Sequence, residues 1–490
     1  MNKFSSGKHI ATKLVCVECV GEQYLKVQIT KNCESRECTY CGARNEPAIT
    51  MLELADCVEK AIQSHFSRTP TEPDEFEQWA MRNAEYVYEY ERPGEPLKDV
   101  ICDLVSCDAD IAADVVTLLS NRHDNFHPGD PDEGECEFAR SSYYELTHPT
   151  LDNWTDKWGR VEESLKHESR FFNQIAWDVF SSVFADIENA RTYVGDTAVV
   201  SIGPGTDVEA LYRGREFQSL DALKDALKNP VAHLGPPPGR IARASRMNAS
   251  GISIFYGAQE PHSALAEVRP VVGSNVVIAK FTIVRDLKLL DLRRLDEVHS
   301  EGSFFDPQYA QECERAGFLR TLCRRLIIPV MPNDQEQGYL TTQAVADYLA
   351  GMKSPALDGI LFPAVQDGNG VNIALFHKAS LVEPLAFEAE TKATVQTHEY
   401  DVDTDENYFS YRVDFYVGQD NKLDVSHRTD GAWLEEWSAP VASRLPALRL
   451  DLDSIEVHEI QTVQVKSRKH HVRVNTASST LKQIEEGGDF

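Results

Sequence analysis

LYRGREFQ at residues 211–218 and LGPPPGRIARASRMNASGISIFYGAQEPHSALAEVRP at residues 234–270 are the stretches that decide the fold. They set Arg213, Arg246, Tyr256 and Glu267 on short elements separated by Gly- and Pro-rich turns. These residue types suit the holding and cleaving of a dinucleotide. Arginine presents a planar fork of donors that matches phosphate oxygens, so two arginines fix a pyrophosphate. Tyrosine offers a flat face to a base or a cationic pyridinium ring. A carboxylate binds ribose hydroxyls and stabilises positive charge developing at an anomeric carbon. The nicotinamide–ribose bond of NAD fits this set, because nicotinamide departs as a neutral amide and needs no general acid. The same residue types at this spacing also occur as surface charges and half-buried packing in many soluble proteins.

Working outward, Ala198–Ile202 and Val208–Arg213 read as strands, Ser219–Leu227 as a helix, and Gly251–Tyr256 as a further strand. Pro261 opens a helix carrying Glu267, and strands follow at Val276–Val284 and Leu287–Leu290. A loop then leads to a helix over Tyr339–Ala350, and strands at Gly359–Phe362 and Asn372–Phe376 close the unit.

The runs LYRGRE, RMNASGISIFYGA, ALAEVRP, YLTTQAVADYLA and LDGILFPAVQDGNGVNIALF, in that order across about Val208 to Phe376, resemble the RES family. That family comprises NAD-consuming toxins related in fold to ADP-ribosyltransferases. The resemblance implies that Arg213 and Arg246 bind NAD, that Tyr256 is its aromatic contact, and that Glu267 is the acidic catalytic residue, acting with Arg213 and Tyr256. It adds Asn248 and Gln366 to the residues expected to contact NAD. Ala364 stands where the family usually has serine, with Gln366 and Ser253 as candidate donors in its place. The implied activity is cleavage of the nicotinamide–ribose bond by hydrolysis, phosphorolysis or ADP-ribosyl transfer, in a bacterial toxin or antiviral defence protein with an antitoxin or regulatory partner. A catalytically weakened NAD or ADP-ribose sensor and a zinc-dependent interaction protein are the alternatives.

The chain has 490 residues, more than one core normally supports. No window of about twenty uncharged apolar residues exists, which argues against a membrane-spanning helix. The N-terminus lacks the apolar run of a secretory signal, so a cytoplasmic protein is expected, with a homo-oligomer left open. A formal net charge of −29 argues against nucleic acid as the partner of the whole chain. It implies a positive pocket in an acidic body, to which Arg213, Arg215, Arg240, Arg243 and Arg246 contribute; for Arg215, Arg240 and Arg243, surface pairing with carboxylates is the plainer expectation.

Cys16-x2-Cys19 and Cys38-x2-Cys41 have the spacing of a zinc ribbon or treble-clef-like site, in which each knuckle supplies two thiolates to a tetrahedron. Cys33 competes with Cys38, and reduced packed thiols are the alternative. Four cysteines close the coordination shell, so the expected zinc is structural. A strand over Gln23–Thr30 is expected between the knuckles.

From Thr50, with Glu53 three residues later, a capped helix is predicted. Glu75–Tyr90 and two segments between Pro96 and His123 continue the helical pattern. A strong amphipathic helix is expected to put Phe171, Phe172, Ile175, Val179, Phe180, Val183, Phe184 and Ile187 on one face. This stretch resembles the HEPN/RES-type N-terminal domain of longer family members. After Leu385 the texture is β-rich, with a hairpin expected over Val463–Val474 around the basic residues Lys466, Arg468, Lys469, His470 and His471.

The expected fold class is therefore α+β. Residues 1–48 form the zinc-binding knuckle region and 49–195 the helical HEPN/RES-type domain. Residues 196–385 form an ADP-ribosyltransferase-like mixed α/β RES domain, and 386–490 a β-rich C-terminal extension.

Overall fold

The computed structural model describes residues 9–83, 90–123, 136–147, 150–328, 330–364, 366, 368, 370–385, 392–401, 406–416, 444–464 and 467–473. The fold is mixed helix and sheet, as an α+β reading requires.

At the N-terminal end, β1 (Leu14–Cys16) and β2 (Ser35–Arg36) pair antiparallel with β3 (Glu46–Thr50). Between β1 and β2 lies a helix, α1 (Gln23–Asn32), where a strand is expected. The alternation Leu25, Val27, Ile29 suggests a strand, but Val27 is 47% exposed and the buried pair, Leu25 and Ile29, is four residues apart.

α2 (Met51–His65) begins as predicted. The Thr50 hydroxyl accepts from the Glu53 N–H, and the Glu53 carboxylate accepts from the Thr50 N–H at 3.1 Å. Next come β4 (Phe66–Arg68), α3 (Glu75–Asn83), β5 (Glu95–Pro96), α4 (Leu97–Val105), α5 (Ala109–Arg122) and β6 (Tyr143–Leu146). The helix expected to reach Tyr90 is described to Asn83, and residues 84–89 lie outside the described residues. Leu54, Val58, Ile62, Ile101, Val115 and Leu119 form the shared core of this region.

The long amphipathic stretch divides into α6 (Asp152–His167) and α7 (Gln174–Val183). Asn173 caps α7 by accepting from the Ala176 N–H at 2.9 Å, and Phe172 turns the chain at φ 55°. Phe171 and Phe172 therefore project into solvent and Ile175 is 40% exposed, while Val179, Phe180, Val183, Phe184 and Ile187 are buried as expected.

After β7 (Arg191–Thr192), the central sheet takes β8 (Val199–Ile202) and β9 (Ala210–Phe217), followed by α8 (Leu220–Lys228) and α9 (Pro230–Leu234). β10 (Phe255–Ala258) is shorter than expected and starts later, because the chain turns at Gly251 with φ 89° and residues 252–254 join no strand. α10 (Pro261–Glu267) ends at Glu267. β11 (Asn275–Ile283), β12 (Leu287–Asp291) and β13 (Val298–His299) lead to α11 (Tyr309–Ile327), a helix of 19 residues where only a loop is expected. Charged residues interrupt its apolar ones, which hides the period. α12 (Gln335–Gly338), α13 (Leu340–Gly351), β14 (Gly359–Pro363) and β15 (Val371–Leu375) follow.

The nine-stranded sheet has the order β18 (Leu448–Leu450), β11, β9, β10, β15, β14, β12, β8, with β19 (Glu456–Glu459) also on β11. β18 and β19 pair antiparallel with β11, so the sheet takes strands from beyond residue 385. α6, α7, α11 and α13 share a core with one face, and the other face buries Leu211, Leu223, Leu234, Phe255 and Phe281. β16 (Lys392–Asp401) and β17 (Glu406–Tyr416) form a separate hairpin. No strand forms among the described residues of the expected hairpin at 463–474; Lys466 lies outside them.

Candidate functional site

The site is a split in the central sheet. β9 pairs with β11 along its whole length but with β10 at one position, Tyr212 opposite Ala258. Beyond that pair the strands diverge. A cavity of about 350 Å³ opens there, lined by Arg213, Gly214 and Arg215 of β9, Tyr256 and Gly257 of β10, Glu267 of α10 and Asn372 of β15. Arg213 spans the split: its Nη1 donates to the Tyr256 carbonyl at 2.6 Å, and the guanidinium lies 5.0 Å from the Phe255 ring. It is 8% exposed, and its Nε has no partner. Burial, then the charge of Arg215, depresses its pKa well below the ordinary value, and arginine nevertheless stays protonated.

Glu267 reaches the cavity because α10 packs closely on β9. Gly214 permits this approach: a Cβ there would stand 2.8 Å from the Ala264 carbonyl oxygen. Glu267 keeps contact with solvent at the cavity mouth, yet enough protein surrounds its carboxyl to raise its pKa. Asn372 Nδ2 donates to Glu267 Oε2 at 2.8 Å and opposes that rise, as do the charges of Arg269 and Arg246. Asn372 is 3% exposed, and its Oδ1 is buried without a partner. Sequence reasoning passes over this residue; the signal is one amide in the otherwise apolar strand Val371–Leu375.

Tyr256 is held from its far end. Its hydroxyl bonds the Ser245 hydroxyl, accepts from the Met247 N–H at 3.0 Å and donates to Asn248 Oδ1 at 3.2 Å. Burial, partly offset by these bonds, pushes its pKa up to about 12, so the phenol is neutral. Asn248 is enclosed in the same turn. Its Nδ2 faces the carbonyls of Arg243, Ala249 and Ile252, and its Oδ1 also accepts from Ser245, so its amide is engaged internally and does not line the cavity.

Arg246 points to a helix end. Its Nη1 donates to the carbonyls of Leu326 and Ile328, at 2.7 and 3.0 Å, at the C-terminus of α11. The first turn of α13 fixes its backbone: Thr342 Oγ1 donates to the Arg246 carbonyl at 2.7 Å and Gln343 Nε2 to the Ser245 carbonyl at 2.8 Å. Arg246 is near enough to act on Glu267 electrostatically but does not line the cavity.

Gln366, with its amide oriented to satisfy both groups, accepts from Arg269 Nη2 at 2.8 Å and Nε at 3.1 Å. Ala364 is buried, and its N–H donates to the Gly370 carbonyl at 2.8 Å. The Ser253 carbonyl bonds His377. None of these three lines the cavity. Arg215, for which surface pairing is expected, lines it. A larger cavity of about 580 Å³, between the N-terminal helices and Gly302–Phe305, contains none of the expected site residues.

Cys16, Cys19, Cys38 and Cys41 converge, all four sulfurs lying within 4.8 Å of one another. The Cys16–Cys41, Cys16–Cys19 and Cys19–Cys38 separations are 3.5, 3.7 and 3.8 Å. A zinc tetrahedron with Zn–S bonds of about 2.3 Å has edges of about 3.8 Å, so the cluster could hold such an ion. Cys33 is not in the group and closes the C-terminus of α1. Burial opposes the Cys38 thiolate, but N–H donation from Cys41, Tyr40 and Cys16 outweighs it and brings the thiol down to about 7.

Residues 218–403 match the family model described as RES domain, less than half of the chain. Arg246, Tyr256, Glu267 and Asn372 fall inside the match, and Arg213 and Arg215 fall just before it. The match does not cover 49–195, where a HEPN/RES-type domain is expected. No curated protein and no solved structure matches the chain. No described helix is long and apolar enough to cross a membrane.

Proposed function

We propose that this chain consumes NAD by breaking the bond between nicotinamide and ribose, and that it acts as a growth-arresting toxin or defence effector with an antitoxin or regulatory partner. The observation that carries the reading is the meeting of Arg213, Tyr256, Glu267 and Asn372 at one split in the sheet, three of them in a segment matching the RES domain. Arg213 holds the pyrophosphate and the Tyr256 ring contacts the nicotinamide. The Glu267 carboxylate binds ribose hydroxyls and stabilises the oxocarbenium-like transition state. As the C–N bond breaks, its electron pair passes to the pyridinium nitrogen and nicotinamide leaves neutral. Water, phosphate or a protein nucleophile then bonds the anomeric carbon and loses its proton to solvent. Asn248 and the loop–helix bonds to Thr342 and Gln343 act by holding Tyr256 in place. The four-cysteine cluster takes a structural zinc, with the backbone donors around Cys38 keeping its thiolate ready.

The catalytic unit of this reading runs from about residue 150 through β15 and includes β18 and β19, with the knuckle and helical region before it as a separate unit. A catalytically weakened NAD or ADP-ribose binder is the second reading, favoured by Ala364 in place of the family's serine.

The test is nicotinamide release from NAD by the purified full chain, with and without phosphate, beside Glu267→Gln. Release abolished in the variant supports the enzyme, and phosphate dependence selects phosphorolysis. Tight NAD binding without release by the parent refutes catalysis and supports the binder.

A further inference from the structure

Two guanidinium groups stand in the same cavity wall without a counter-ion. Side chains alternate along β9, so Arg213 and Arg215 project to the same side of the strand, with Gly214 between them on the other. Arg213 is more than nine-tenths buried, and both Nε atoms are buried without a hydrogen-bond partner. Arg215 Nη2 donates to the Gly235 carbonyl at 3.4 Å, longer than an ordinary N–H···O bond. Among the described residues neither arginine has a carboxylate within ion-pair distance. Glu216, next along the strand, accepts instead from the Val271 N–H at 2.9 Å, and Glu267 accepts from Asn372. Two like charges are therefore held together without a counter-charge, Arg213 buried and Arg215 half-buried, an arrangement that costs stability until an anion arrives. Arg246, expected from the sequence to be the second phosphate ligand, is bound to the end of α11.

We propose that Arg213 and Arg215 together form the anion subsite, taking the two phosphates of a pyrophosphate, with Arg215 the residue that distinguishes a dinucleotide from a mononucleotide. This rests on the NAD-cleaving reading for its substrate but not for its chemistry. A pyrophosphate brings two negative charges to two planar forks, each able to bind oxygens bidentately, and compensates both guanidinium groups at once. A mononucleotide supplies one phosphate and leaves Arg215 unmatched.

The experiment uses the full-length chain with Arg215→Gln and Arg215→Lys. Titration calorimetry and melting curves are recorded with inorganic pyrophosphate and with inorganic phosphate. Steady-state nicotinamide release is followed from NAD and from nicotinamide mononucleotide. Pyrophosphate binds the parent more tightly than phosphate does and raises its melting temperature. Arg215→Gln weakens pyrophosphate binding by roughly ten- to a hundredfold, the loss expected for charge-assisted hydrogen bonds. Its KM for NAD rises at least about tenfold more than its KM for the mononucleotide, and Arg215→Lys recovers part of both. Without ligand, Arg215→Gln melts no lower than the parent, because a repulsion has been removed. Undiminished pyrophosphate binding by Arg215→Gln, or no pyrophosphate binding by the parent, overturns the proposal. Equal losses toward both nucleotides overturn the specificity role. If the parent releases nicotinamide from neither nucleotide, the NAD-cleaving reading fails, and the pyrophosphate titrations still decide the subsite.

Discussion

Gly214→Ala tests how Glu267 is brought to the cavity. The added methyl would stand 2.8 Å from the Ala264 carbonyl oxygen and 3.4 Å from both the Ala264 carbonyl carbon and Val268 Cγ1. The first of these is backbone in α10, so no side chain can swing aside. Restoring ordinary contact moves α10 by about 0.7 Å, given that non-bonded contacts are comfortable from about 3.5 Å. Glu267 is the last residue of that helix and moves with it, away from the Asn372 amide. A misplacement of about 1 Å in a catalytic constellation costs about a hundredfold in rate, so a shift of this size lowers kcat/KM for nicotinamide release by about tenfold. Overpacking also destabilises the fold by about 1–3 kcal/mol. That outweighs the gain of about 0.5–1 kcal/mol that alanine brings to a strand interior relative to glycine. Nicotinamide release and thermal melting, measured on the same preparation, give both quantities. An alanine variant that melts at or above the parent and turns over at the parental rate would show that α10 does not depend on Gly214, and the account of Glu267's placement would fall.

Two further outcomes follow from the site and the cluster. Asn372→Ala removes the donor that opposes the raised Glu267 pKa. The acid limb of the pH–rate profile for nicotinamide release then moves to higher pH, because a carboxylate that titrates later becomes functional later; a limb unmoved in the variant refutes the role given to Asn372. Cys38→Ser lowers bound zinc, measured by elemental analysis, from about one ion per chain, and chelation of the parent lowers the melting transition of the N-terminal region; a parent that carries no zinc when grown with the metal refutes the cluster as a zinc site.

Much of the fold is legible where local chemistry and burial agree. Thr50 and Glu53 announce the start of α2, and the cysteine spacing announces the convergence of four thiols. The central-sheet strands from Val199 to Leu375 can be placed within a few residues because they are largely buried and read as apolar runs, whereas β13, outside that sheet, is not foreseen. α1 misleads because a three-residue alternation fits either period, and only the exposure of Val27 separates them. α11 stays hidden because its surface divides between core residues and arginines that donate to distant carbonyls, Arg315 to Ala185 and Arg320 to Val298, which breaks the apolar stripe. Within the site, residue types point to Arg213, Tyr256 and Glu267. Which polar partner each has depends on strand pairing, which no spacing reveals: the single Tyr212–Ala258 pair opens the cavity that Asn372 and Arg215 enter.

The position of Arg246 changes how the two halves of the chain relate. At one end of α11, Arg246 holds the carbonyls of Leu326 and Ile328, on the same loop whose turn fixes the Tyr256 hydroxyl. At the other end, Phe304 and Phe305 pack into the core built by α2, α4 and α5. Phe304 meets His65 at 5.1 Å and Tyr309, the first residue of α11, at 5.6 Å between ring centres. One helix thus connects the packed junction with the knuckle-bearing region to the loop that positions the aromatic residue of the cavity. A helix is stiff along its axis, and its terminal carbonyls are fixed by a charged donor rather than by solvent. The Phe304 contact and the Tyr256 loop are thus joined by one helix, whereas Glu267, carried by α10 on β9, is held by a separate set of contacts.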